Sequence, residues 1–263
     1  MALYKIIGEE EFPVSFDDEV FHVAPYFPGL KLAKNDFEPE FSHPGPGEHT
    51  NFYTEEFIAT ENSHGIIMNS FRELEPEFVD HWNREALPRA WCIGPLCLAS
   101  EKKVVSERNS RPMCTQWLNE MSKMEKPVLY VAFGSVIEMT IEQYREIAIG
   151  LANSGETFLP MLGFPITADQ HLNARMIEEY FRIGVKVVTR TGSVRGFFDS
   201  ECIEKKVKEL TNIEDEKWKE MSKNVKKLSE RARDAMEVGG SSWHSLNLLI
   251  DEVVYGKENL KII

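Results

Sequence analysis

Hydrophobic and polar positions divide the chain into stretches of different character. Residues 1–50 mix Pro, Gly and acidic residues with scattered apolar ones and end in HPGPGEH (43–49). No period emerges, so this opening is expected to be mostly irregular, which is long for a compact domain. From Asn51 a helix is expected through Phe52, Phe57 and Ile58, then a strand in GIIMNS (65–70). A helix through Leu74, Phe78 and Trp82 and a short strand at AWCIG (90–94) follow, closed by Gly94-Pro95. The polar run at 100–112 reads as an exposed linker. Beyond it lie a short helix (116–121) and the clearest strand, PVLYVAF (127–133), whose near-continuous apolar run suits a parallel strand covered on both faces. After the next turn, Thr140 and Gln143 have capping-box spacing. Ile141, Tyr144, Ile147, Ala148 and Leu151 then make one apolar helix face.

Residues 156–176, ETFLPMLGFPITADQHLNARM, break this regularity. Thr157-Phe158-Leu159 begins like a buried strand, Pro160 and Pro165 interrupt it, and a helix begins near Thr167 with Asp169-Gln170 at its start. IGVKVV (183–188) reads as another strand. Charged helices follow at about 200–210 and 214–236, the second with a stripe of Trp218, Met221, Val225 and Leu228 that fits ordinary helix packing. After Gly239-Gly240 a last helix runs through Leu246, Leu249, Ile250 and Val253. No internal repeat is visible, and alternating strands and helices indicate an α/β fold.

Composition narrows the function without naming it. The chain has 263 residues, enough for one large domain or two modest ones. A formal net charge of −13 argues against a phosphate backbone or an anionic membrane as partner. No stretch approaches the roughly twenty apolar residues of a membrane helix, and the N-terminal apolar run is too short for a signal-peptide core. Cys92, Cys97, Cys114 and Cys202 show neither zinc spacing nor a CxxC pair, which suits free thiols in a reducing cytosol. His43 and His49 have no convincing third ligand, so no metal is expected.

Two places could carry chemistry. At the strand-to-helix turn Phe133-Gly134-Ser135, Gly134 allows backbone approach to a phosphate and the Ser135 hydroxyl can donate to a phosphate oxygen; the plainer reading is a good turn after any strand. Asp169 and Gln170 offer acceptors and donors to neighbouring sugar hydroxyls. Against that, Thr167 and Gln170 have capping-box spacing and Asp169 complements a helix dipole without any ligand. His22 and His171 carry little weight as general bases.

Together these segments resemble a plant family-one UDP-glycosyltransferase. WCIGPL (91–96) is similar to the end of that family's first domain, and residues 127–159 to the opening strand-turn-helix of its second, FGS turn included. FPITADQHLNARM (164–176) resembles the end of the nucleotide-sugar signature, and GGSSWHSL (239–246) the start of the terminal helix. The resemblance implies an incomplete two-domain GT-B-like fold with Rossmann-like parallel sheets. Its expected parts are an acceptor-side domain (1–98), a linker (99–112), a UDP-sugar-side domain (113–238) and a helix (239–263) crossing back to the first. It implies transfer of a hexose, glucose by the Asp-Gln pair, from a UDP-sugar to a hydroxyl of a small molecule in the cytoplasm. Ser135, Asp169 and Gln170 would contact the donor, with Gly134 beside the phosphate, and no cofactor beyond the donor substrate. The chain departs from the pattern where Pro160 stands for a tryptophan. The uracil-stacking tryptophan and the His-Cys-Gly-Trp-Asn-Ser run that holds the diphosphate are absent, so residues 160–163 read as the scar of an internal deletion. The chain also reads as beginning within the first domain, without the aspartate-backed histidine base; His22 does not match that position. Impaired transfer is therefore expected. Val128, Leu129, Val131 and the Ile141/Ile147 face would need new cover, by self-association or pairing with a full-length relative. A non-catalytic interaction protein and a truncated gene product remain the alternatives.

Overall fold

The computed structural model describes residues 16, 19–23, 27–37, 47–85, 88–99, 113–124, 139–154, 161–164, 170–193, 196–212 and 214–256. In chain order they form β1 (Val20–Val23), β2 (Phe27–Ala33), a 3-10 turn (Lys34–Asp36), α1 (Glu48–Glu61), β3 (Ile66–Met68), α2 (Pro76–Glu85) and β4 (Ala90–Cys92). A second 3-10 turn (Leu96–Leu98), α3 (Met113–Lys123), α4 (Ile141–Ser154), β5 (Met161–Gly163) and α5 (Gln170–Arg175) follow. α5 continues into a π-helical turn (Met176–Tyr180), and β6 (Gly184–Lys186), α6 (Ser200–Thr211), α7 (Glu216–Met236) and α8 (Ser241–Tyr255) complete the order. The chain divides into two compact units. One holds residues 1–6, 45–106 and 226–263, the other 7–44 and 107–225. Residues 7–44 thus group with the unit that also holds 113–225.

In the first unit β3 and β4 pair in parallel, with Ile66 opposite Ala90, Ile67 opposite Trp91 and Met68 opposite Cys92. β4 is wholly buried. Its open side is closed at Ala90 by Asn83 of α2, whose Oδ1 accepts from the Ala90 N–H at 2.8 Å while its Nδ2 donates to the Ala90 carbonyl at 3.1 Å. A side-chain amide thus does there what a neighbouring strand would do. Gly65 is demanded by close approach, since a Cβ there would lie 1.8 Å from the buried Trp91 ring. α8 packs on β4. Ser242 donates to the Gly94 carbonyl at 2.5 Å, and the buried Glu252 pairs with His64 at 3.7 Å. Those two anchors fix the rotation of the helix and leave Leu246, Ile250 and Val253 exposed.

In the second unit β1 and β2 form an antiparallel hairpin, with Phe21 opposite Leu32 and His22 opposite Lys31. The opening residues are therefore not uniformly irregular. Leu30 and Leu32 are buried while Gly29 and Lys31 are exposed, the period-two alternation of a one-sided strand. α4 and α6 pack closely, and a Cβ on Gly150 would lie 2.8 Å from both the Ile203 Cβ and the Ser200 carbonyl oxygen. Ile147 joins Val187, Phe198, Ile203 and Val207 in one core; Val185, Leu210 and Met221, with Trp218 against them, form another. The inward face of α4 is Gln143, Ile147, Gly150 and Ser154. Ile141 is 81% exposed and Tyr144 is exposed too, correcting the expected stripe. Only half of the expected capping box forms: Thr140 Oγ1 accepts from the Gln143 N–H at 3.2 Å. The Gln143 side chain turns instead to Phe198, accepting from its N–H at 2.9 Å and donating to its carbonyl at 2.8 Å.

The proline-broken region has more order than expected. Residues 161–163 form β5, parallel to β6, with Met161 opposite Gly184 and Gly163 opposite Lys186. All three residues of β6 are buried, so β5 supplies partners to a strand that could not be left unpaired. The strand expected at 127–133 and its start at 157–159 lie outside the described residues, as do Val128, Leu129 and Val131.

Candidate functional site

Of the residues singled out for donor contact, the structure describes Gln170; Gly134, Ser135 and Asp169 lie outside the described residues. Gln170 is half-buried and opens α5. His171, beside it, is 1% exposed and belongs to the core, while His22 is exposed on β1. The two histidines therefore sit in unlike surroundings, one packed inside and one at the surface.

α5 rests on His171, Ala174 and Arg175, all buried. Arg175 sits at the centre of a chain of charges. Its Nε lies 2.6 Å from Asp36 Oδ2, an ion pair whose alignment falls short of a hydrogen bond, and its Nη1 donates to Glu179 at 3.0 Å. Asp36, on the 3-10 turn after the hairpin, also accepts from the Ala33 N–H at 2.6 Å. Burial pushes the Asp36 carboxyl above its usual range, against the pull of Arg175. Lys186 of β6 donates to Glu179 and lies 3.6 Å from Glu178. Lys206 and Lys217 reach Glu178 at 3.5 and 3.4 Å, and both also pair with Glu209. Burial opposes ionisation of Glu209, but hydrogen bonds from Lys217 and Lys206 outweigh it and hold the carboxyl below its ordinary value.

A cleft of about 510 Å³ opens beside this network, lined among others by Lys31, Glu178, Arg182, Lys217, Glu220 and Met221. Its charges face one another, with Arg182 Nη1 3.1 Å from Glu220, and Gln170 is not on its wall. Among the described residues no group of His, Cys, Asp and Glu is arranged to hold a metal, and no helix is long and apolar enough to cross a membrane.

Sequence reasoning missed Asp36, Arg175 and the clasp of Gln143 on Phe198. The alternation Gly29-Leu30-Lys31-Leu32 was the available signal for the hairpin that carries Asp36. Nothing local to Gln143 marks a partner 55 residues away.

No protein-family model matches the chain. It is 31% identical to UDP-glycosyltransferase 90A1 of Arabidopsis thaliana over 94% of its length and 64% of the relative's. It is also 31% identical to UDP-glycosyltransferase 90A2 of the same plant, covering 87% of this chain and 61% of the relative. The chain thus spans a little under two thirds of these curated relatives. The first matched stretch runs over 311 positions, more than the 263 residues of this chain, so positions of the relative inside that stretch have no counterpart here. Among solved structures, Glycyrrhiza uralensis UGT73P12, complexed with glycyrrhetinic acid 3-O-monoglucuronide, superposes with a TM-score of 0.79. It is 22% identical, over 98% of this chain and 68% of that one. Medicago truncatula UGT71G1, complexed with UDP-glucose, superposes with a TM-score of 0.72 at 21% identity, over 96% and 68%. The fold is accordingly a partial GT-B-like α/β fold.

Proposed function

Because the chain belongs to the plant UDP-glycosyltransferases, we propose that it binds a UDP-sugar and retains at most slow transfer of the hexose to a hydroxyl of a small molecule. The observation that carries this reading is the match to UDP-glycosyltransferase 90A1 over 94% of the chain, with positions of that relative missing inside the matched stretch. Asp169 and Gln170 hold the sugar hydroxyls, glucose being the sugar their donor and acceptor pattern suits. Ser135, with Gly134 permitting close approach, faces a phosphate. The donor is a substrate and no further cofactor is required. The cytosol is the proposed compartment, because the four cysteines show neither zinc spacing nor a CxxC pair and suit a reducing environment.

The slowness follows from what the sequence lacks. No His-Cys-Gly-Trp-Asn-Ser run holds the diphosphate, and losing one preorganised donor to a developing charge costs about 10²–10³-fold. Calorimetric unfolding with and without excess UDP-glucose tests donor binding, because a ligand held only by the folded state raises the midpoint. The midpoint should rise, and less so in Asp169→Ala and Gln170→Ala. A cooperative transition that UDP-glucose leaves in place would refute the reading.

A second reading, a non-catalytic partner of another copy or of a full-length relative, is favoured by the exposed apolar stripe of α8 and the exposed Ile67 on β3. Sedimentation as a monomer, alone and mixed with such a relative at micromolar concentration, would exclude it.

A further inference from the structure

We infer that Asp36, 134 positions before Gln170 in the chain, is a positioning residue for the helix that carries Gln170. The inference rests on the reading that Gln170 touches the donor sugar.

α5 has six residues, too few to stand by its own hydrogen bonds. It is held by its buried face, where His171 and Ala174 pack and Arg175 is anchored by charge. The guanidinium is gripped from two sides, by Asp36 at 2.6 Å and by Glu179 at 3.0 Å. Glu179 belongs to the π-helical turn that continues α5 and is tied by Lys186 to β6, so it holds the far end of the helix. Asp36 is the anchor on the hairpin side. It is 0% exposed, its Oδ2 is tied to the Ala33 N–H, and the segment around it is fastened by Leu30, Leu32, Ala33 and Phe37, each at most 1% exposed. A fixed line therefore runs from the hairpin core through Asp36 and Arg175 to α5. Removing Asp36 leaves the buried Arg175 with Glu179 alone, a loss of compensation that the structure relieves by moving. The short helix is the part free to move.

The consequence is selective. Sugar contacts depend on where Gln170 points, whereas contacts to the nucleotide do not. Loosening the anchor should therefore weaken UDP-glucose binding and spare UDP, while a general loss of stability would weaken both.

The test uses the full chain. Titration calorimetry with UDP and with UDP-glucose is compared between wild type and Asp36→Asn, and hydrogen exchange of amides 170–176 is followed without ligand. Asp36→Asn should speed exchange in α5 more than in α4 or α6. It should also weaken UDP-glucose about tenfold, leaving UDP within about twofold. The paired change Asp36→Asn with Arg175→Gln removes both charges and should restore most of the exchange protection. Arg175→Lys, which keeps the charge and loses the planar fork, serves for the same two readouts should Asp36→Asn not fold. Equal weakening of UDP and UDP-glucose, or unchanged exchange in α5, overturns the inference. If wild type binds neither nucleotide, the donor-site reading fails, and the exchange comparison alone decides the role of Asp36.

Discussion

Replacing Gln143 by leucine isolates the clasp that joins α4 to the segment before α6. The two residues are similar in size, and Gln143 is 7% exposed, so leucine occupies nearly the same space. What it cannot do is accept from the Phe198 N–H at 2.9 Å or donate to the Phe198 carbonyl at 2.8 Å. Two buried backbone groups then lose their partner, at about 1–3 kcal/mol each. The apolar side chain returns roughly 1.5–3 kcal/mol by burial. The net loss should be about 2 kcal/mol, a factor of roughly 30 in the folded-to-unfolded ratio. Urea unfolding of wild type and variant measures it, provided the slope against denaturant is unchanged. Hydrogen exchange at the Phe198 amide should quicken in parallel. A stability change below about 0.5 kcal/mol, or an unchanged Phe198 amide, would refute the claim that this side chain holds the segment.

Cys92 is buried, with its thiol pushed up to about 11 by burial and by Glu75 and Glu73, whereas Cys97 is exposed. In a Cys114→Ser background at pH 8, a maleimide should therefore label Cys97 promptly and Cys92 only on unfolding, as peptide mapping would show. Glu209 and Asp199 both ionise more readily folded than free. At Asp199 burial is outweighed by the Cys202 N–H and Arg190, and at Glu209 by Lys217 and Lys206. Their contribution is complete above the ordinary carboxylate range and is lost as pH falls through the depressed folded values. Glu209→Gln should accordingly flatten the acid limb of a stability-pH curve, and an unaltered limb would remove Glu209 from the account. Gly65→Ala should cost about 1–3 kcal/mol by driving a methyl into the Trp91 ring; an unmoved thermal midpoint with unchanged tryptophan fluorescence would contradict that close approach.

Periodicity served well where packing is local. The strands at 66–68 and 90–92 and the helices from Ser200 and Glu216 lie where hydrophobic spacing and helix signals put them. It failed where a distant polar partner sets the rotation. Ile141 and Tyr144 look inward by spacing, yet Gln143 claims the inward face because Phe198 offers it two hydrogen bonds. In α8 the anchors Ser242 and Glu252, held by Gly94 and His64, leave Leu246, Ile250 and Val253 exposed. The hairpin at 20–33 was hidden because its alternating pattern is short and sits among prolines and acids. Of the candidate site, residue types and spacing led to Gln170, but the Asp36–Arg175 pair joins distant positions that no local pattern connects.

The outward-facing apolar side of α8 also governs how the protein behaves as a colloid. Trp243, Leu246, Ile250 and Val253 follow one another at spacings of three and four, and Val253 is 65% exposed. At low ionic strength a net charge of −13 keeps copies apart. Salt shortens the reach of that repulsion from about 30 Å at 0.01 M to about 3 Å at 1 M, while excluded salts such as sulfate strengthen apolar burial. Solubility should therefore fall as salt rises. A dilute, low-salt buffer is the condition in which single copies of this chain are best kept in solution.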